Sequence, residues 1–199
     1  TRPQKELPVS MTIFDTPILS WILRSGCLLA LRLLGWTLIG ELPKSQRFVM
    51  IAEPHTAASD LPLMLSVAFA FKLKLHWIGK EELFRGWRRP VMSWLGGLPV
   101  KRSGELNEVD RIADLFEGRA RIALAIAPGG TRAKTSQWRS GFYWIAVRAD
   151  VPILLSFLDY KTRSTGVGPL FSPTGDHDAD VTEMRKFYQD MEGKHPAKS

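Results

Sequence analysis

Cysteine is almost missing from this chain, with Cys27 alone among 199 residues. That excludes an intramolecular disulfide framework and a cysteine-based metal cluster, and it makes a reducing cytoplasm the default setting. A long uninterrupted hydrophobic run is missing too. Residues 16–40 are the most apolar stretch and about the length of a membrane span, but Arg24 and Arg32 break it. No G-x-S-x-G sequence occurs, because Ser140-Gly141 lacks the preceding glycine, and this disfavours a serine hydrolase. Between Gly118 and Ala149 there is no acidic residue, although six lysines and arginines stand there. Internal repeats and low-complexity tracts are also absent.

What remains is the composition of one α/β-sized globular domain, 45% hydrophobic and 24% charged. The net charge of +7 calls for an anionic partner: nucleic acid, a phospholipid surface, or a phosphorylated or CoA-like small molecule. From Lys72 to Arg102 eight basic residues face only Glu81 and Glu82. If the strands are parallel, the loops in these basic segments share one sheet edge and form a basic mouth; a solvated basic face is the plainer alternative.

Met11 is a natural start, so residues 1–10 read as a leader with no role. In 16–40, two arginines eight residues apart beside Trp21 and Trp36 fit a helix lying among lipid headgroups. A helix covering the sheet and a true span are the alternatives. Residues 48–52 form an apolar run with β-branched members, Pro54 ends it, and Ser59 or Asp60 can cap a helix over 61–71. Strands are expected at 73–78, at 121–127, at 152–160 and, after a turn at 164–166, at 167–171. Helices are expected at 107–117, at 138–147 and at 181–191, the last capped by Asp180. Alternating strands and helices predict an α/β domain over 46–199 with a mostly parallel central sheet, preceded by the 11–45 helical segment.

His55 therefore sits on the turn after a buried strand, where open α/β sheets place their chemistry. Five residues on, Asp60 can accept a hydrogen bond from one ring nitrogen and leave the other as a general base. A loop histidine followed by an N-cap aspartate is the plainer reading of the same pair.

Four blocks in order carry a resemblance: His55-x4-Asp60; Lys80-x-Glu82-Leu83 with Gly97-Leu98-Pro99-Val100-Lys101-Arg102; Pro128-x-Gly130-Thr131-Arg132; and Val151-Pro152-Ile153. Together, over about residues 47–160, they resemble the glycerolipid acyltransferase family, typified by bacterial 1-acyl-glycerol-3-phosphate acyltransferases. The resemblance implies acyl transfer from an acyl-CoA or acyl-carrier-protein thioester to a lysophospholipid hydroxyl, with His55 as base and Asp60 holding its ring. It implies Lys80, Arg102, Gly130, Thr131 and Arg132 as substrate contacts, with Arg102, Thr131 and Arg132 on the acceptor phosphate, and neither metal nor cofactor. It also implies peripheral or monotopic attachment through 16–40 at the cytoplasmic face of the cell membrane, and no nucleic-acid partner. The chain departs from the family pattern at Pro54, where a small polar residue usually precedes the histidine. It departs again at Gly129, which replaces the usual third-block glutamate and opens the choice of another hydroxyl or amine lipid as acceptor. A third departure is Leu155, in place of a second proline, and reads as loop variation.

The rival readings are weaker. Ala127 to Thr135 has a P-loop flavour, but Ala133 and Pro128 stand where glycines are needed. A non-catalytic membrane- or nucleic-acid-binding module rests on basicity and seven tryptophans alone. His76, His177 and His195 read as structural or solvent-exposed, and Asp176, Asp178 and Asp180 as a solvated acidic turn rather than a metal cluster. Phe142, Tyr143 and Trp144 read as core, with one or two available to line an acyl channel.

Overall fold

A computed structural model describes residues 11–45, 47–100, 106–131 and 137–198. Its centre is β2 (Arg47–Glu53), in which Phe48, Val49, Met50 and Ile51 are all buried. A strand buried on both faces needs apolar residues at every position, which is why this run does not alternate. Around it lie β1 (Thr37–Ile39), β3 (Leu75–Lys80), β4 (Gly97–Val100), β5 (Ile122–Ile126), β6 (Ile153–Asp159) and β7 (Ser164–Phe171) in the order β1-β7-β6-β2-β5-β3-β4. The block from β6 to β4 is parallel. Beyond it β7 turns back antiparallel to β6, and β1 runs parallel to β7. The fold is thus α/β with a mostly parallel sheet, as the alternation of elements predicts.

Helices α1 (Pro17–Leu33), α2 (Asp60–Ala70), α3 (Arg88–Trp94), α4 (Leu106–Ala113), α5 (Gly141–Arg148) and α6 (His177–Lys186) flank the sheet. Side chains of successive strand residues go to opposite faces. Val49, Ile51, Leu124, Ile153 and Leu155 accordingly pack with Phe142, Tyr143 and Ile145 of α5 and Met184 of α6. Phe48, Met50, Ala123, Ala125 and Leu154 pack on the other side with Ala68 of α2, Trp77 and Phe84.

Several sequence expectations need correction. The apolar segment 16–40 contains strand as well as helix: α1 ends at Leu33, and Thr37–Ile39 joins the sheet. That pairing needs glycine twice, since a Cβ on Gly166 would stand 1.9 Å from the Ile39 carbonyl oxygen and one on Gly40 2.0 Å from that of Val167. Residues 164–166 are therefore strand, and the reversal falls earlier, with Arg163 at a positive φ of 50°. Leu155 is no loop residue. It pairs with Ile51 in the buried interior of β6, at a register shift against β7.

Asp180 does not cap the last helix. The N-cap is Asp176, whose carboxylate accepts the Ala179 N–H, and α6 starts four residues before the apolar pattern suggests. Asp180 lies inside, 4% exposed, and accepts from the Tyr143 hydroxyl at 2.8 Å and from the Thr174 N–H and hydroxyl. Burial pushes its carboxyl up, but these donors outweigh that and hold it below the usual range. Phe142 and Tyr143 are fully buried core, whereas Trp144 is 42% exposed.

The apolar segment also differs from the expectation in detail. Arg24 is turned inward, its Nε donating to the Ala70 carbonyl at the end of α2, and Trp36 packs edge-on against Tyr160 at 5.0 Å. Ile18, Trp21, Ile22, Leu29 and Leu33 of α1, and Leu34 after it, are exposed. Among the described residues no helix is long and apolar enough to cross a membrane.

Tyr143→Phe removes the donor to Asp180 and the acceptor of the Gly175 N–H. We expect it to lower the unfolding free energy by about 1–3 kcal/mol, measured by urea denaturation.

Candidate active site

Parallel strands put all their carboxyl ends on one edge, and β2, flanked by β6 and β5, delivers its turn to the middle of it. The Glu53–Pro54 peptide bond is cis. Beyond it the chain doubles back so that Asp60, the first residue of α2, faces the turn it follows. Asp60 is 1% exposed. Its Oδ2 accepts from the backbone N–H groups of Thr56 and Ala57, both at 2.9 Å, and meets His55 Nδ1 at 3.0 Å. Its Oδ1 accepts from the Tyr160 hydroxyl at 2.8 Å.

Burial pushes the Asp60 carboxyl up; the bonds from His55, Ala57 and Tyr160 outweigh it and keep the group below its ordinary value. An ionised carboxylate only accepts, so Nδ1 of His55 carries a proton, and in the neutral imidazole the lone pair then lies on Nε2. The imidazole is 29% exposed, enough for a substrate hydroxyl to reach it. Burial pushes the Tyr160 hydroxyl up to about 12; Ser59 pulls against this and the Asp60 carboxylate adds to it. Tyr160 is thus a fixed donor at neutral pH. The tail closes over the same turn, with Lys194 Nζ donating to Ser59 Oγ at 3.2 Å and the His195 N–H to Thr56 Oγ1 at 3.2 Å.

The third-block loop lies beside this turn because β5 pairs with β2. Gly130 closes a turn by donating its N–H to the Ala127 carbonyl at 2.9 Å, and the Arg139 N–H bonds the Pro128 carbonyl. Gly130 has a φ of +63°, which favours glycine, while a Cβ there would meet only the flexible, exposed Arg139 side chain, 2.8 Å away at Nε. Thr131 follows, exposed. Lys80 is exposed at the end of β3, two strands from β2, on the same edge. Arg102 and Arg132 lie outside the described residues, as do Lys101 and Lys134. The described loops after β3 and β5 do share the edge with His55, which is the arrangement a basic mouth requires.

These residues coincide with a recognised sequence family. A family model described as Acyltransferase matches residues 36–154. The chain belongs to the acyltransferase family. Among solved structures, the 1-acyl-sn-glycerophosphate (LPA) acyltransferase PlsC from Thermotoga maritima matches with a TM-score of 0.56 and 19% identity, over 88% of this chain and 82% of that one. At that identity the likeness is one of fold. No curated protein matches the chain.

In this acyltransferase two residues at the site escaped the sequence reading. Tyr160 was hidden because its partner lies 100 positions away, though its place at the end of a buried strand was a usable signal. Glu53 falls between the apolar run and Pro54 and carries no local signal. Its Oε2 accepts the His55 N–H at 3.0 Å and its Oε1 the Gly129 N–H at 3.3 Å.

His76 and His177 stand apart from this turn. His76 is 2% exposed in β3, where burial, with Lys74 and Arg119 nearby, lowers its pKa to about 4 and keeps it neutral. His177 Nδ1 meets Asp178 Oδ1 at 2.7 Å. Among the described residues no group of His, Cys, Asp and Glu is placed to hold a metal ion. A groove of about 420 Å³ bordered by Trp21, Arg24, Phe69 and Lys72 opens near the start of β3, at the opposite end of the sheet from His55.

A carboxyl with a depressed folded pKa stabilises fully above its unfolded value, here 3.8, and loses that contribution as pH falls through the folded one. The stability difference between wild type and Asp60→Asn should therefore be smallest in strong acid, grow as pH rises from the depressed folded pKa towards 3.8, and level off just above 3.8 at about 2 kcal/mol or more. Urea midpoints measured across pH check this; a pH-independent difference would contradict the ionised-carboxylate assignment.

Proposed function

We propose that this acyltransferase moves a fatty acyl group from an acyl-CoA or acyl-carrier-protein thioester to a hydroxyl of 1-acyl-glycerol-3-phosphate or a related lysophospholipid. The observation that carries the reading is the His55 ring pinned through Nδ1 to a buried, ionised Asp60, with its other nitrogen unbonded among the described residues. Nε2 takes the acceptor hydroxyl proton as the oxygen attacks the thioester carbonyl. The tetrahedral intermediate then collapses, the C–S bond breaks, and the thiolate recovers that proton from the imidazolium. No acyl-enzyme is needed. General-base help of this kind supplies roughly 10²–10⁴-fold, and the rest comes from holding donor and acceptor together.

For the acceptor phosphate the reading assigns Arg102, Thr131 and Arg132, since a guanidinium fork matches a phosphate in shape and charge. Lys80 adds positive charge at the same edge. The exposed apolar side chains of α1, Trp21 among them, suit attachment to a membrane surface where both acyl chains reside. The Thermotoga maritima neighbour is described as acting on 1-acyl-sn-glycerophosphate, which favours a glycerophosphate acceptor here. Gly129, which brings no side chain to the third-block loop, keeps a second acceptor class in view: another hydroxyl or amine lipid.

The test is thiol release from a long-chain acyl-CoA, with and without lysophosphatidate. Release that depends on the acceptor is expected; none with any lysophospholipid, from CoA or carrier protein, would overturn the reading. His55→Ala should stay folded and lose roughly 10²-fold or more in rate. Arg102→Ala and Arg132→Ala should chiefly raise the acceptor KM, by about tenfold or more.

A further inference from the structure

We infer that Glu53 is a positioning residue that replaces, from the end of β2, the carboxylate that Gly129 cannot supply to the third-block loop. The inference rests on the acyl-transfer reading of the site and adds a residue to it.

Glutamate is an expensive choice at this position. Glu53 ends the central strand, partly buried, with its side chain on the face shared by Val49 and Ile51. Burial raises its pKa, while the N–H groups of Gly129 and His55 and the charges of His55 and Arg185 pull the other way. Tyr188, buried on the same face, donates its hydroxyl to the Ser156 carbonyl at 3.1 Å and contributes no hydrogen bond to Glu53. A small apolar residue would avoid the desolvation cost. The carboxylate is instead spent on two backbone donors from two loops, one oxygen each.

Register explains how it reaches them. Ile51 pairs with Ile126 across β2 and β5, so Glu53 and Pro128 stand two residues beyond the same rung, and Gly129 one further. A glutamate side chain easily spans the roughly 4.8 Å between neighbouring strands. The bridge fixes how far the loop bearing Thr131 lies from the turn bearing His55, which is the separation between acceptor phosphate and acceptor hydroxyl in the proposed reaction. Misplacement of about 1 Å at such a site costs on the order of 10²-fold. Gly129, unlike Gly130, does not have a positive φ, so its backbone conformation is open to other residues. Placing a glutamate there tests whether a carboxylate serves from either position.

Three variants decide the matter: Glu53→Ala, Gly129→Glu and the two combined. Glu53→Ala should raise the acceptor KM about tenfold or more and leave the acyl-CoA KM within about twofold. The combined variant, with the carboxylate back on the third-block loop, should recover most of that loss. A folded Glu53→Ala enzyme with wild-type acceptor kinetics would overturn the inference, as would a folded combined variant that recovers nothing. Amide hydrogen exchange gives a readout independent of turnover. Glu53→Gln, the milder change, should speed exchange at Gly129 and His55 together by about tenfold; unchanged rates at both would also overturn it. If the wild-type protein transfers no acyl group, the proposed function fails on that result alone, and the exchange rates still judge the bridge.

Discussion

The site depends on one buried carboxylate. Asp60 sits under the turn it terminates and collects four donors: the imidazole of His55, two successive backbone N–H groups, and the Tyr160 hydroxyl. An ion this buried would be costly alone, and its neighbours repay that cost by hydrogen bonding. The same bonds fold the 54–60 turn, fix the tautomer of His55 and tie the end of β6 to the start of α2. Fold stability and the proposed chemistry therefore rest on the same atoms. Tyr160 in turn carries Trp36 on its ring, which links the segment after α1 to the edge that bears His55.

Much of this was legible in the sequence, because the relevant signals are local. An apolar run, a proline, a histidine and a helix start within a dozen residues define a strand-turn-helix, and the H-x4-D spacing is explained by an aspartate reaching back to cap the turn. The block order then placed Gly130 and Thr131 on the neighbouring loop. What stayed hidden depended on distant pairings. Three-residue β1 carries too little pattern to stand out from the apolar segment around it, and its strand character comes from lying against β7 with glycines at both close approaches. Asp180 looked like a cap because aspartates cluster there; which of them caps was set by Tyr143, a partner on another helix. Glu53 has no local pattern to mark it, since its contacts are with two loops that only the fold brings together.

The same comparison shows why the departures from the family pattern differ in weight. Pro54 changes the path of the turn and leaves the His55–Asp60 contact in place. Leu155 sits at a break in the ladder between β6 and β7 and takes no part in the site. Gly129 brings no charged group to a loop on the edge that bears His55, and its N–H is met there by the Glu53 carboxylate of a neighbouring strand.

The strand order also sets the sequence of events in making the protein. Ile51 of β2 pairs with Ile126 and with Leu155, and the Tyr160 bond to Asp60 joins residues 100 apart. Local contacts close early and such distant ones late, at a higher cost in chain entropy. During synthesis from the N-terminus, α1 with its exposed apolar side chains emerges before the sheet, whereas β2 waits for both of its neighbours. The nascent chain thus displays the apolar side chains of α1 well before the edge that bears His55 is complete.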